Sequence, residues 1–240
     1  MANPWARDRA TWFYFGFGLF ALSAVLLGFS TTYILPMARY TFAAPWVVHL
    51  HGLSALGWVL MLIIQARLVR NQRTPVHRRI GQMGLPLAAT VWASGIATAA
   101  WAAHRDLPAA GTVATSNLAS TTIGLSLYLA LVIAAILVRR QPDWHKRLVM
   151  LATIQVLWPA IFRWRHVLPA IPNPEFWLAI VVAYTPILVA AFRDYKVYGR
   201  IHPVWLYVAP ALVFEQSLEF AYFDRGIVRM LGQWLYLLLS

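Results

Sequence analysis

No cysteine occurs among the 240 residues. That excludes disulfides, iron–sulfur clusters, thiolate-ligated haem and covalent c-type haem. Acidic residues are also scarce. Eight Asp and Glu stand against twenty Lys and Arg, and Lys146 and Lys196 are the only lysines. Charged residues make up 12% of the chain, about half the share usual in a soluble domain. No P-loop, dinucleotide-binding glycine motif, His-Glu-Xaa-Xaa-His zinc motif or Gly-Xaa-Ser-Xaa-Gly nucleophile elbow is present. The clustered His boxes of membrane desaturases are missing as well. The last long apolar run has no lysine near its middle, which argues against a retinal Schiff base.

What the chain has instead is apolar sequence, 60% of its residues. Seven runs are long enough to cross a bilayer, which takes about twenty mostly apolar residues: roughly 11–35, 46–68, 82–103, 116–138, 148–167, 174–192 and 203–222. They are continuous rather than alternating, so they are helices and not the strands of a membrane barrel. No small-residue cleavage site follows the first run, which is expected to stay as a span rather than be removed as a signal. The fold expected is therefore all-α: one polytopic membrane domain over residues 1–240 with seven transmembrane helices.

Basic residues are sorted by loop. Fourteen of the twenty lie before span one (Arg7, Arg9) or after spans two (Arg67, Arg70, Arg73, Arg78, Arg79), four (Arg139, Arg140, Lys146, Arg147) and six (Arg193, Lys196, Arg200). The positive-inside rule places those segments, and the N-terminus, in the cytoplasm and the C-terminus outside. The net charge of +12 is thereby explained by orientation and by contact with anionic lipid headgroups, not by nucleic acid.

Two of the basic loops resemble each other. Leu68-Val69-Arg70 leads through Gln72 to His77-Arg78, and Leu137-Val138-Arg139 leads through Gln141 to His145-Lys146-Arg147. Gly199-Arg200-Ile201-His202-Pro203 is a looser echo. This predicts a leading helix followed by three similar hairpins in one orientation, as in parallel-repeat membrane proteins. Pro86, Pro159, Pro186 and Pro210 fall inside predicted spans, where kinks are expected. Gly95 allows close helix approach or space for a flat ligand. The small, polar segment Ala109–Ser120 is expected to be an outer surface loop. The apolar stretch Ile227–Ser240 is too short to span; it is expected at the outer interface or against a partner. Trp12, Tyr14 and Trp144 sit near span ends, as in an aromatic belt.

Ionisable groups within apolar spans are costly and point to function by default. His49 and His51 open span two; Arg163, Arg165 and His166 close span five; Glu215 and Glu219 lie in span seven. Topology puts all of them near the outer face. Glu215 and Glu219 are one turn apart and face the same way; the readings are metal ligation or proton transfer, against a structural ion pair with Arg163, Arg165 or Arg225. His49 and His51 are about 200° apart on a helix, so they serve one ion only if the helix start unwinds. Either imidazole suits haem iron or a transition metal, and the two Arg suit propionates or an anionic substrate. At the inner face, His77, His145 and His202 are secondary candidates for a metal or quinone; the alternatives are headgroup contact or capping of the preceding hairpin. Gln65 and Gln155 read as polar glue between helices.

The pieces His49-Leu50-His51-Gly52, Val76-His77-Arg78-Arg79-Ile80-Gly81, Asp143-Trp144-His145-Lys146-Arg147-Leu148 and Gly199-Arg200-Ile201-His202-Pro203 resemble a group of bacterial multi-span membrane proteins. Their loops carry a similar His-Arg-Arg-Leu-Gly element. The resemblance covers spans two to seven and implies a bacterial inner-membrane protein, without implying an activity. A looser likeness is to b-type cytochromes, in which His residues on neighbouring spans sandwich haem. Three functions follow as expectations. The first is a redox or metal-linked role, with haem b or a metal ion at His49, His51, Arg163, Arg165 and His166, or a metal at Glu215, Glu219 and His49. The second is an accessory or assembly subunit that meets other membrane subunits. The third is a proton-coupled small-solute carrier using the two Glu.

Overall fold

The computed structural model describes residues 11–239; Arg7, Arg9 and Ser240 lie outside the described residues. Those residues form helices and turns, with no strand among them. Helix α1 (Thr11–Phe29) continues through a π-helical stretch, Ser30–Ile34, into α2 (Leu35–Ala38). Next come α3 (Trp46–Arg70), a short α4 (Thr74–Gly81), α5 (Gly84–Ala110), α6 (Thr112–Leu137) and α7 (Pro142–Phe162), which ends in a 3-10 turn, Arg163–His166. The short α8 (Pro174–Phe176) leads through the π-helical stretch Trp177–Val182 into α9 (Ala183–Tyr198). A third such stretch, Val204–Val208, leads into α10 (Ala209–Ala221), and α11 (Gly226–Leu239) follows.

The wide turns have a common cause. Pro36, Pro186 and Pro210 have no N–H to offer the carbonyls four residues earlier, at Thr32, Val182 and Leu206. Each of those residues lies in a π-helical stretch, where bonding shifts to the fifth residue along. Proline here widens the helix before it rather than ending it.

Five helical units are long and apolar enough to cross a membrane: Trp12–Ala38, Trp46–Arg70, Thr74–Ala110, Thr112–Leu137 and Pro174–Tyr198. The expected spans at 148–167 and 203–222 do not join them on length and composition. Helix α7 carries Asp143, Lys146 and Arg147 in its first two turns, and twelve of its 21 residues are buried. Helix α10 with its lead-in, Val204–Ala221, carries Glu215, Gln216 and Glu219 within it. The outward faces of the bundle are strongly apolar, with Leu53 69%, Leu188 71% and Phe192 62% exposed. An apolar surface of that kind suits lipid and not water.

Packing follows a closed ring. Helix α1 packs on both α3 and α7, α3 on α5, α5 on α6, and α6 on α7. Inside it, the Trp58 indole N–H donates to Thr153 Oγ1 at 3.1 Å, and the Trp58 ring meets the edge of Tyr128 at 5.1 Å. On the other side of α7 lie α9, its π-helical lead-in and the start of the α10 unit. Backbones touch where α1 crosses α7: a Cβ on Gly28 would lie 2.0 Å from the Ala160 carbonyl oxygen.

The first turns of α1 bind all three basic loops. The Arg70 guanidinium lies 3.2 Å over Trp12, Lys146 lies 5.6 Å over Tyr14, and Arg193 lies 4.9 Å over Phe13. Tyr14 is buried, so it belongs to this contact rather than to an aromatic belt.

One expectation about the far end is corrected. Ala109–Ser120 is not a loop: only Gly111 separates α5 from α6, and Thr115, Ser116 and Ser120 are buried. Their small side chains make room for α11, which packs on α6 of its own chain; a Cβ on Gly232 would lie 2.3 Å from the Thr115 carbonyl oxygen. Asp224 holds the start of α11, accepting hydrogen bonds from Thr112 Oγ1 at 3.1 Å and Ser116 Oγ at 2.9 Å and pairing with Arg229 at 3.0 Å. The Gly232→Val variant is expected to displace α11. Limited proteolysis should then cleave within 222–239 at least tenfold faster than in the wild type, with α1–α10 intact. Equal cleavage rates would show that α11 is not held by this contact.

Candidate functional site

At the far end the two histidines of α3 diverge. His49 turns to the π-helical stretch after α1, where its Nδ1 is 2.8 Å from the Tyr33 hydroxyl and Phe42 lies edge-on at 5.9 Å. His51 turns to α5, with Nδ1 3.4 Å from Ser94 Oγ. The His51 ring and a Leu125 methyl fill the space beside Gly95, where a Cβ would come within 2.9 Å and 2.5 Å of them. Gly95 therefore serves close packing, not a flat ligand. Near this end Arg163 donates to the Pro159 carbonyl at 3.0 Å and stands 4.6 Å over Phe29. Arg165 folds onto its own turn, bonding the Phe162 carbonyl at 3.2 Å, and His166 is exposed.

Glu215 and Glu219 do not join the histidines. Glu219 is 8% exposed and faces Ser120 of α6. Glu215 keeps one carboxylate oxygen, Oε2, buried without a hydrogen-bond partner. The alternative, an ion pair with Arg163, Arg165 or Arg225, is not formed; among the described residues neither glutamate has a cationic partner. Both lie within electrostatic reach of Tyr184 of α9. The Tyr184 hydroxyl is shared between the amide oxygens of Gln155 on α7, at 3.3 Å, and Gln216 on α10, at 3.4 Å. The set His49, Glu215 and Glu219 is not assembled: among the described residues no three or more His, Cys, Asp or Glu stand close enough to hold a metal ion.

The basic-loop end contains a buried charged node that the sequence did not single out. Arg147 is fully buried and pairs in bidentate fashion with Asp194 of α9, Nε to Oδ2 at 2.7 Å and Nη2 to Oδ1 at 2.8 Å. The Trp205 indole N–H donates to the same carboxylate at 2.9 Å, and Arg147 Nη1 donates to the Asp143 carbonyl at 2.9 Å. Asp143 sits beside Lys146 at 3.6 Å. His202 is buried edge-on to Trp144 at 4.9 Å, and its Nδ1 accepts the Val204 N–H. Burial first, then the Arg147 charge, push its pKa down to about 4, so the imidazole is neutral. The signal in the sequence was Asp194 itself, one of only eight acids, two residues past the apolar run 174–192.

Seen along α7, these groups form a column. Arg147 with Asp194, Gln155 with Tyr184, and then the glutamates follow one another on the seam between α7, α9 and α10. Arg147 and Gln155 are eight residues apart, about 12 Å by helix rise. Such a column can hold and relay a proton where the carboxylates lack a counter-charge.

His77 and His145 converge, each being the fourth residue of its helix. Their ring centroids are 6.4 Å apart and their planes perpendicular. His145 Nδ1 bonds the Ala135 carbonyl of the preceding helix at 2.8 Å, the hairpin-capping role weighed above. His202 is not part of this pair. No protein-family model, curated protein or solved structure matches this chain.

Proposed function

We propose that this chain is an integral membrane protein that couples a proton to the movement of a small solute, with Glu215 and Glu219 as the proton-carrying groups. The observation that carries the reading is the absence of any cationic partner for either glutamate among the described residues, although Glu219 is buried and Glu215 has an enclosed, unpartnered oxygen. Two carboxylates one turn apart in an apolar surround cannot both stay ionised without a counter-charge. A shared, exchangeable proton resolves that conflict, and Tyr184, Gln155 and Gln216 supply the hydrogen-bonding route beside it. In this reading α7 and the α10 unit cross the bilayer too. Helix α7 tolerates charges in its first turns because it is enclosed by protein rather than lipid. Seven crossings then set the basic loops and the N-terminus in the cytoplasm, against anionic headgroups of a bacterial inner membrane, with the C-terminus outside.

The test is infrared difference spectroscopy on protein reconstituted in vesicles. The wild type is expected to show a protonated-carboxyl band. Glu219→Gln should remove that band, while Glu175→Gln, an exposed glutamate, leaves it unchanged. A wild type with no such band, or a Glu219→Gln variant that keeps it, sinks the reading.

A further inference from the structure

A second site stands at the basic-loop end, built from residues that the carboxylate column does not use. His77 comes from α4 and His145 from α7. The Nδ1 atom of His77 is buried without a hydrogen-bond partner, and so are both amide atoms of Gln65 on α3. The Gln65 backbone is the hydrogen-bonding group that acts on the His77 ring, and its side-chain amide lies along the same face of α4, 3.5 Å from where a Cβ on Gly81 would stand. His145 spends its Nδ1 on the Ala135 carbonyl. A carbonyl only accepts, so that nitrogen carries a proton, and the proton-free nitrogen of a neutral His145 ring would be Nε2. Two imidazoles therefore approach each other, each with a ring nitrogen uncommitted, beside a buried amide that is also unsatisfied. Buried polar atoms in native proteins have partners, and several orphans in one place ask for a missing one.

We propose that His77 and His145 bind a monovalent copper ion between them, with Gln65 as the neighbouring polar group. Imidazole nitrogen suits copper, and no thiolate is available to compete, since the chain has no cysteine. With metal–imidazole bonds of about 2.0 Å, two rings bound in line have centroids roughly 6 Å apart; the observed 6.4 Å needs only a small ring movement. Perpendicular planes fit, because twist about a nitrogen–metal–nitrogen axis is free. Copper in its monovalent state is content with two nitrogen donors, matching a place that offers two imidazoles and no carboxylate. Its single charge is also the smallest that a transition metal brings to a surround containing Arg78, Lys146 and Arg147.

The test is anaerobic titration of the detergent-purified full chain with copper(I) against a chromophoric chelator, followed by X-ray absorption at the copper edge. One ion per chain is expected, with the spectrum of two imidazole nitrogens. His77→Gln and His145→Gln should each weaken binding at least tenfold, while His104→Gln, an exposed histidine, leaves it unchanged. Wild-type protein that yields all its copper to the chelator overturns the proposal, as do two His variants that bind like the wild type. Should either variant fail to fold, the wild-type spectrum still decides: methionine sulfur in place of imidazole around the metal refutes the assignment. The Glu219 carboxyl band is not read in this experiment, so the two proposals fail independently.

Discussion

Arg147→Met is expected to destabilise the protein by about 3–5 kcal/mol, because it strands a buried carboxylate. The Asp194 side chain is 2% exposed. With Arg147 gone, Asp194 keeps the Trp205 N–H at 2.9 Å and a glancing contact with Arg193 at 3.4 Å. Arg193 therefore holds the loss toward the lower part of that range. Removing both charges, as Arg147→Met with Asp194→Leu, should recover part of it. What remains is the Trp205 indole left without an acceptor, worth about 1–3 kcal/mol. Unfolding in detergent by heat or denaturant ranks the three proteins, and a single variant as stable as the double one would refute the argument. A second readout is independent of stability. Arg147 is the second cause, after burial, of the low His202 pKa, so in Arg147→Met a nuclear magnetic resonance titration should find His202 above about 4 and closer to its ordinary 6.5.

Gly28→Ala is the other large effect. On helix propensity alone the change would favour folding by about 1 kcal/mol. Packing reverses the sign, since the new Cβ would meet the Ala160 carbonyl oxygen at 2.0 Å and its carbon at 2.8 Å. Both are main-chain atoms and cannot swing aside. Helix α1 must move off α7, and overpacking of this rigid kind costs about 3 kcal/mol or more. Gly16→Ala is the internal control, because nothing lies within 4 Å of a Cβ there. The expected order of thermal stability is Gly16→Ala at or above wild type and Gly28→Ala far below it. Similar values for the two would mean that the α1–α7 crossing is loose.

Much of the fold was legible because apolar run length is a local property. The runs at 46–68, 82–103 and 116–138 correspond to α3, α5 and α6. Ala109–Ser120 was misread for a non-local reason. Small polar residues mark a loop in one context and a helix–helix contact in another, and what decides is α11, more than a hundred residues later. The candidate site divides in the same way. Spacing correctly turned His49 and His51 to different neighbours and set Glu215 and Glu219 on one face. It could not tell that the glutamates meet no arginine, because that depends on how α9 and α10 sit on α7. Nor could it find the Arg147–Asp194 pair, whose members are 47 residues apart and look, one by one, like ordinary loop charges.

The cations seated on Trp12, Phe13 and Tyr14 have a consequence for the order of assembly. Helix α1 is made early, yet one of the groups that fasten it, Arg193, is synthesised last of the three. At about 5–20 residues per second, roughly 10–40 s separate the two during translation. Over that interval α1 waits with a buried-type tyrosine uncovered and its glycine face toward α7 unfilled. A chain truncated before α9 would keep α1 but not its full fastening, and would present quality-control proteases with a loosely held leading helix.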